Sequence, residues 1–203
     1  MTPSLIVLLV ANAIPIAGVL FLGWTVFPLV LLYWLENVVV GAFNVAKMLA
    51  AQPSQPAYWA GKLFIVPFFI VHFGMFTFIH GVLLVALLGP KATHPFDLLD
   101  TVIPAIRDNK LWWAVVSLVV SHGLSFFWNY IKNGEYQRAT LNTLMGQPYA
   151  RVMVLHFTVL FGGWIVMTLG SPLPALVLLI VLKTAADLRG HKAEREKFAA
   201  LTP

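Results

Sequence analysis

The stretch from Phe27 to Ala46 reads FPLVLLYWLENVVVGAFNVA. Glu36 is its one acidic residue, and it contains no lysine or arginine. About 20 apolar residues are what an α-helix needs to cross the hydrocarbon core of a bilayer. A charged side chain at the centre of such a run costs at least about 2.5–3.5 kcal/mol, so ionisable residues there are rare and usually functional. The stretch therefore predicts a membrane-spanning helix that carries a candidate functional residue.

The whole chain has the composition of an integral membrane protein. Of its 203 residues, 60% are hydrophobic and 10% are charged, whereas an average soluble domain carries about 25% charged residues. Further apolar runs lie on both sides of the first one. We therefore predict an all-α integral membrane protein, a six-helix transmembrane bundle that forms one domain over residues 1–203. The predicted spans are residues 4–22, 27–46, 63–88, 111–131, 150–169 and 172–186.

The lysine and arginine residues predict the orientation. If the number of spans is even, Lys91, Arg107 and Lys110 fall on one side, and the other ten of the 13 basic residues fall on the side that holds both termini. Basic residues favour the cytoplasmic side of a membrane, so we expect both termini in the cytoplasm. The net charge of +5 follows from this bias, and no nucleic-acid partner is predicted.

Two connecting segments are long. Residues 89–110 are expected to form an outward-facing loop, and residues 132–149 an inward-facing one. The inward segment predicts a short interfacial helix with Leu141, Leu144 and Met145 turned toward lipid.

Four histidines accompany Glu36 within the predicted spans. They are His72 and His80 in the third span, His122 in the fourth and His156 in the fifth. At about 1.5 Å of rise per residue, Glu36, His72, His122 and His156 fall into one layer, roughly 9–15 Å from the cytoplasmic edge. His80 lies about 12 Å further along its helix and shares a broad face with His72.

Imidazole and carboxylate are the side chains that bind zinc or non-haem iron in a chain without cysteine. We therefore predict a divalent metal held by His72, His122, His156 and Glu36, with His80 as a further candidate and Glu36 as ligand or general base. Metal-bound water is a hydrolytic nucleophile. The leading expectation is thus a metal-dependent, hydrolase-type membrane enzyme acting on a lipid or another hydrophobic substrate. Residues that could orient the imidazoles are Asn37, Ser125 and Asn129.

Other functions stay open for the same residues. A bis-histidine haem would need facing pairs such as His72 with His122, or His80 with His156, and would leave Glu36 without a role. A transporter or channel would use these side chains to bind a cation or relay protons. A structural or assembly protein would use them only to hydrogen-bond one helix to another, at about 0.6 kcal/mol each. The bilayer is an expected partner, and self-association as a homo-oligomer stays open.

Short motifs contain most of these polar residues. They are YWLEN (33–37), the helix with His72 and His80, SHGLSFFWNY (121–130), GEY (134–136), and the pair LH (155–156) followed by GG (162–163). Together they resemble a family of bacterial polytopic membrane proteins that is known as a domain of unknown function. The resemblance implies a bacterial inner-membrane location, and it implies no activity, cofactor or substrate.

Overall fold

The computed structural model describes residues 21, 25–52, 56–90, 94 and 96–169, and this part of the chain is helical without any strand. The α-helices are α1 (Val26–Ala50), α2 (Pro56–Leu88), α3 (Leu98–Asp108), α4 (Trp112–Ser125), α5 (Leu141–Gly146) and α6 (Tyr149–Leu169). A π-helix, Phe126–Lys132, continues α4, and a 3-10 helix, Glu135–Gln137, follows it.

Three helical segments are long and apolar enough to cross a membrane, namely Val26–Ala50, Trp59–Leu88 and Trp112–Lys132. They overlap the predicted spans 27–46, 63–88 and 111–131, and α6 overlaps the predicted span 150–169. The predicted spans 4–22 and 172–186 lie outside the described residues. The described part of the protein is thus helical, with three helices that could cross a membrane, as its composition indicates.

Helix α1 is the central element, because it packs against α2, α4, α5 and α6. Its first turns are buried on all sides, with Leu29, Val30 and Leu31 fully covered. This N-terminal half belongs to a first hydrophobic core, which it shares with Leu84 of α2 and Val159 of α6. The C-terminal half of α1 joins a second core, whose buried members include Met48, Val66, Phe69, Phe73, Tyr130 and Val152.

The segment between α4 and α6 folds into the bundle. Leu141 and Leu144 are buried in the second core, so the prediction that they face lipid is wrong. The reason is a buried polar group on α1: Asn44 Nδ2 donates to the carbonyl oxygen of Leu144 at 2.9 Å. Such a group needs a partner when it leaves water. Thr140 starts α5, since its Oγ1 accepts a hydrogen bond from the backbone N–H of Thr143 at 3.2 Å.

The predicted outward loop contains helix α3. Val102 and Ala105 of α3 pack into the first core, while Phe96 and Leu99 are exposed. The spacing of Leu98, Val102 and Ala105 is the i, i+4, i+7 pattern of an amphipathic helix. Helix α3 therefore lies at the N-terminal end of α1, next to the end of α2.

Candidate functional site

Glu36 is buried on α1 and forms an ion pair with a residue of α6. Arg151 Nη1 donates to Glu36 Oε1 at 2.6 Å. The side chain of Glu36 is 12% exposed and that of Arg151 is 39% exposed. Charge-assisted hydrogen bonds of this kind are short and stronger than neutral ones. The guanidinium thus gives the buried carboxylate a counter-charge.

His122 of α4 is the third member of this group. Its Nε2 lies 4.0 Å from Glu36 Oε1, and its ring lies against Phe43 of α1, with 6.4 Å between the ring centroids. We call Glu36, His122 and Arg151 the polar centre. It joins α1, α4 and α6 at one point of the bundle.

His80 and His156 form a separate pair between α2 and α6. His80 Nε2 and His156 Nδ1 are 2.9 Å apart, and His80 Nδ1 lies 2.6 Å from the carbonyl oxygen of Phe76. A carbonyl only accepts, so His80 carries its proton on Nδ1. The Nε2 of neutral His80 is then an acceptor, and His156 donates to it from Nδ1. Both imidazoles are therefore held in defined tautomers, and the Nε2 of neutral His156 is an acceptor.

His72 makes a third contact between the same two helices. Its Nδ1 and the hydroxyl of Tyr149 are 2.6 Å apart and share a hydrogen bond, and its ring stacks on that of Phe68 with 5.2 Å between centroids. Tyr149 and His156 are seven residues apart, so they lie on one stripe of α6 that faces α2. Arg151 lies on the other side of α6, toward α1 and α4.

The predicted layer of four ionisable residues divides into separate groups. His156 lies level with His80 and not with His72, a difference of about 12 Å along α2. The cause is the segment 132–149, which enters the bundle and displaces α6 along its axis. In the described part of the chain, no group of three or more His, Asp or Glu side chains could hold a metal ion. Metal binding by His72, His122, His156, Glu36 and His80 therefore stays a prediction.

The three residues predicted to orient imidazoles lie in two different environments. Asn37 is buried on α1, next to Glu36 in the sequence. Ser125 and Asn129 are exposed on α4 and on its π-helical extension. Asn129 Nδ2 donates to Ser125 Oγ at 3.3 Å, so these two side chains bond to each other.

Arg151 and Tyr149 are the functional candidates that the sequence analysis missed. Arg151 was expected at the cytoplasmic edge, one residue inside the predicted fifth span. The available signal was the buried carboxylate of Glu36, which requires a counter-charge from a side chain long enough to reach it. Arginine meets this requirement, because its guanidinium presents several donors at the end of a long stem.

The arrangement is suited to handling protons. The polar centre holds a carboxylate, a guanidinium that stays charged, and an imidazole that can donate or accept a proton. A proton on Glu36 removes its attraction to Arg151, and His122 is near enough to exchange protons with Glu36 through a small movement or one water molecule. Fold and site together show a helical protein with three segments that could span a membrane and a largely buried ion pair between α1 and α6.

The chain matches the family of unknown function DUF6498 over residues 1–202, and it belongs to that family. This confirms the resemblance that its motifs carry to a family of unknown function. The comparisons with curated proteins and with solved structures found no match.

Proposed function

We propose that the protein is a proton-coupled membrane transporter whose polar centre binds and releases the coupling proton. The observation that carries this proposal is the short Glu36–Arg151 ion pair with His122 at 4.0 Å. Ionisable residues inside membrane helices are costly, and they commonly belong to proton relays and ion pathways. Helix glue would not need an ion pair, because neutral hydrogen bonds hold membrane helices together without burying charges.

Protonation of Glu36 would couple a proton to the packing of α6. When His122 passes a proton from Nε2 to the Glu36 carboxylate, His122 becomes neutral and Glu36 loses its charge. The ion pair between Glu36 and Arg151 then becomes a hydrogen bond from the charged guanidinium to a neutral carboxyl group, and the α1–α6 contact weakens. The hydrogen bonds His80–His156 and His72–Tyr149 keep α6 on α2. Helix α6 would thus shift against α1 while it stays bonded to α2, and the α1–α6 contact would be a two-state element biased by a proton.

A flux measurement tests the proposal. Purified protein is reconstituted into liposomes that enclose a pH-sensitive dye, and an imposed potential drives proton entry. We expect protein-dependent flux in the wild type and a loss of about tenfold or more in Glu36→Gln, since proton-transfer groups typically contribute 10²–10⁴-fold. Glu135→Gln is the matched control, because Glu135 lies outside the polar centre in the 3-10 helix. Equal flux in Glu36→Gln and wild type would contradict the proposal.

We further propose six spans, with both termini in the cytoplasm of a bacterial inner membrane. The distribution of basic residues supports this orientation. Reporter fusions after residue 203 and within 132–149 should report cytoplasm, and a fusion within 89–110 should report periplasm. A periplasmic signal from the C-terminal fusion would make the number of spans odd and refute this topology.

A metal-dependent hydrolase is the second proposal. It is supported by the distance of 4.0 Å between Glu36 Oε1 and His122 Nε2. Two ligand atoms at this separation can bind one metal ion after a small adjustment. They are fewer than the three protein ligands usual for catalytic zinc. When bound, zinc or non-haem iron would supply an activated water to a lipid or another hydrophobic substrate.

Elemental analysis of detergent-purified protein tests the second proposal, with an absorption spectrum to detect haem. We expect stoichiometric metal in the wild type if the proposal holds, and loss of about tenfold or more in His122→Ala, since even supporting residues of metal sites change affinity 10–100-fold. His94→Ala, outside the spans, is the control. Metal-free wild-type protein would rule out a resident ion.

A further inference from the structure

A groove runs between α1 and α2 on the side away from the polar centre. Its volume is about 670 Å³, and it is lined along α1 by Trp34, Val38 and Val45 and along α2 by Ile70 and Phe78. Two residues along an α-helix correspond to about 200° of rotation. Glu36, two residues from both Trp34 and Val38, therefore lies on the opposite face of α1.

The groove has the dimensions of one lipid chain. From Trp34 to Val45 the wall on α1 extends about 16 Å at ~1.5 Å per residue, and one leaflet contributes about half of the ~30 Å hydrocarbon core. Gly74 keeps the space open. A Cβ added at Gly74 would meet nothing within 4 Å. The indole N–H of Trp34 donates to the carbonyl oxygen of Thr77 at 2.8 Å and fixes this wall of the groove.

The end of the groove next to α3 is acidic. Asp97 and Asp100 belong to its lining and are exposed, and neither forms an ion pair within the described residues. Phe96 and Leu99 beside them are exposed as well. Exposed aromatic and aliphatic side chains such as these are common where a helix meets the headgroup region.

We propose that the groove binds a phospholipid with an ammonium-bearing headgroup. One acyl chain lies along Val38, Gly74 and Ile70, and the ammonium group lies between the carboxylates of Asp97 and Asp100. Charge complementarity at the acidic end, together with a groove about as long as one acyl chain, selects this occupant over a protein helix. The lipid site is independent of the proposed transport activity, because α1 separates the two.

Native mass spectrometry of the detergent-purified chain tests the proposal, with phosphatidylethanolamine and phosphatidylglycerol of equal chain length as probes. Because two surface ion pairs contribute modestly, we expect roughly three- to tenfold tighter binding of phosphatidylethanolamine. The double variant Asp97→Asn/Asp100→Asn should bind both lipids equally. Gly74→Phe should fill the groove and reduce binding of both by about tenfold or more, since its aromatic ring takes the place of a chain. Gly74→Leu is a second variant, which fills the groove with a smaller side chain.

Val120→Phe is the matched control, because Val120 is 52% exposed on α4 and far from the lining of the groove. It should bind both lipids like the wild type. Equal affinity of the wild type for the two lipids would overturn the assignment of the headgroup. Unchanged binding in both Gly74 variants would overturn the site itself. A dimer that dissociates in Gly74→Phe would assign the groove to a second copy of the chain and would also overturn the proposal.

Discussion

Two segments that are long and apolar enough to span a membrane differ in how deeply they are buried in this protein. Val26–Ala50 and Trp112–Lys132 have mean hydropathies of 1.8 and 1.4, yet 61% of the first segment's apolar window is buried and only 11% of the second's. The first segment, α1, buries Glu36, Asn37 and Asn44. The second, α4 with the π-helix, leaves its serine and asparagine side chains largely exposed.

The difference lies in where the polar side chains find partners. Glu36 and Asn44 bond to residues more than 90 positions away in the sequence, Arg151 and Leu144. On α4, Ser117 Oγ donates to the carbonyl oxygen of Trp113, four residues earlier, and Asn129 bonds to Ser125. The face of this segment whose polar groups bond within the segment can face lipid. Its other face reaches α1, where His122 lies 4.0 Å from Glu36 and the Tyr130 hydroxyl donates to the carbonyl oxygen of Lys47.

Removal of the charge on Glu36 should have the largest effect on α1. Glu36→Gln keeps the size of the side chain but takes the carboxylate away from the Arg151 guanidinium. We expect the free energy of unfolding in mixed micelles to fall by about 2–3 kcal/mol, somewhat less than the 3–5 kcal/mol for fully buried pairs, because Arg151 is partly exposed. A loss below about 0.5 kcal/mol, the usual range for surface changes, would show that the ion pair does not stabilise the bundle.

A glycine-to-alanine substitution on each helix compares how tightly α1 and α4 are packed. A Cβ at Gly41 of α1 would lie 2.4 Å from Cε1 of the buried Phe73 ring, whereas at Gly123 of α4 the nearest atom, Phe43 Cζ, is 3.4 Å away. Gly41→Ala should therefore cost about 1–2 kcal/mol through overpacking. Gly123→Ala should change stability by less than about 0.5 kcal/mol. Equal losses in thermal unfolding would mean that α1 is no more tightly packed than α4.

The stability that the His80–His156 pair contributes should depend on the position of its hydrogen-bond donor more than on charge. His156→Leu leaves His80 Nε2 without its donor and should cost about 1 kcal/mol. His156→Asn places an amide N–H near the position of Nδ1, so it should recover about half of that loss. If Asn and Leu destabilise the protein equally, the assigned donor is wrong.

On α4, Asn129→Ala should be nearly silent. It removes one exposed hydrogen bond within a helix, and such bonds average about 0.6 kcal/mol in membranes. We expect a change of less than about 0.5 kcal/mol, again by unfolding in mixed micelles. A larger loss would show that Asn129 contacts something beyond its own helix.

The sequence predicts the helices well and their mutual register poorly. The central position of Glu36 in an apolar run, and the bounds of the segments around it, follow from hydropathy alone. The partners of Glu36 do not, because the shift of α6 along its axis depends on how residues 132–149 fold. Leu141 and Leu144 have the same apolar character whether they meet lipid or Met48, and only the buried amide of Asn44 decides between these environments.

In the candidate site, too, the sequence identifies the residues but does not identify their partners. His80 and His156 are recognisable as polar residues in apolar helices, and their pairing requires a relation between α2 and α6 that no local pattern encodes. The count of basic residues places Arg151 on the cytoplasmic side, one residue inside the predicted fifth span. Here the guanidinium reaches inward, since a buried carboxylate offers it a stronger interaction.

A double-mutant cycle on Glu36 and Arg151 measures whether the two side chains interact. The free energies of unfolding of wild type, Glu36→Gln, Arg151→Met and the double variant are measured in the same micelles. If the two side chains form the ion pair at the polar centre, the double variant should be more stable than the sum of the single losses predicts, with a coupling energy of about 1–3 kcal/mol. Additive losses, with a coupling energy within about 0.3–0.5 kcal/mol of zero, would show that Glu36 and Arg151 do not interact and would contradict the account.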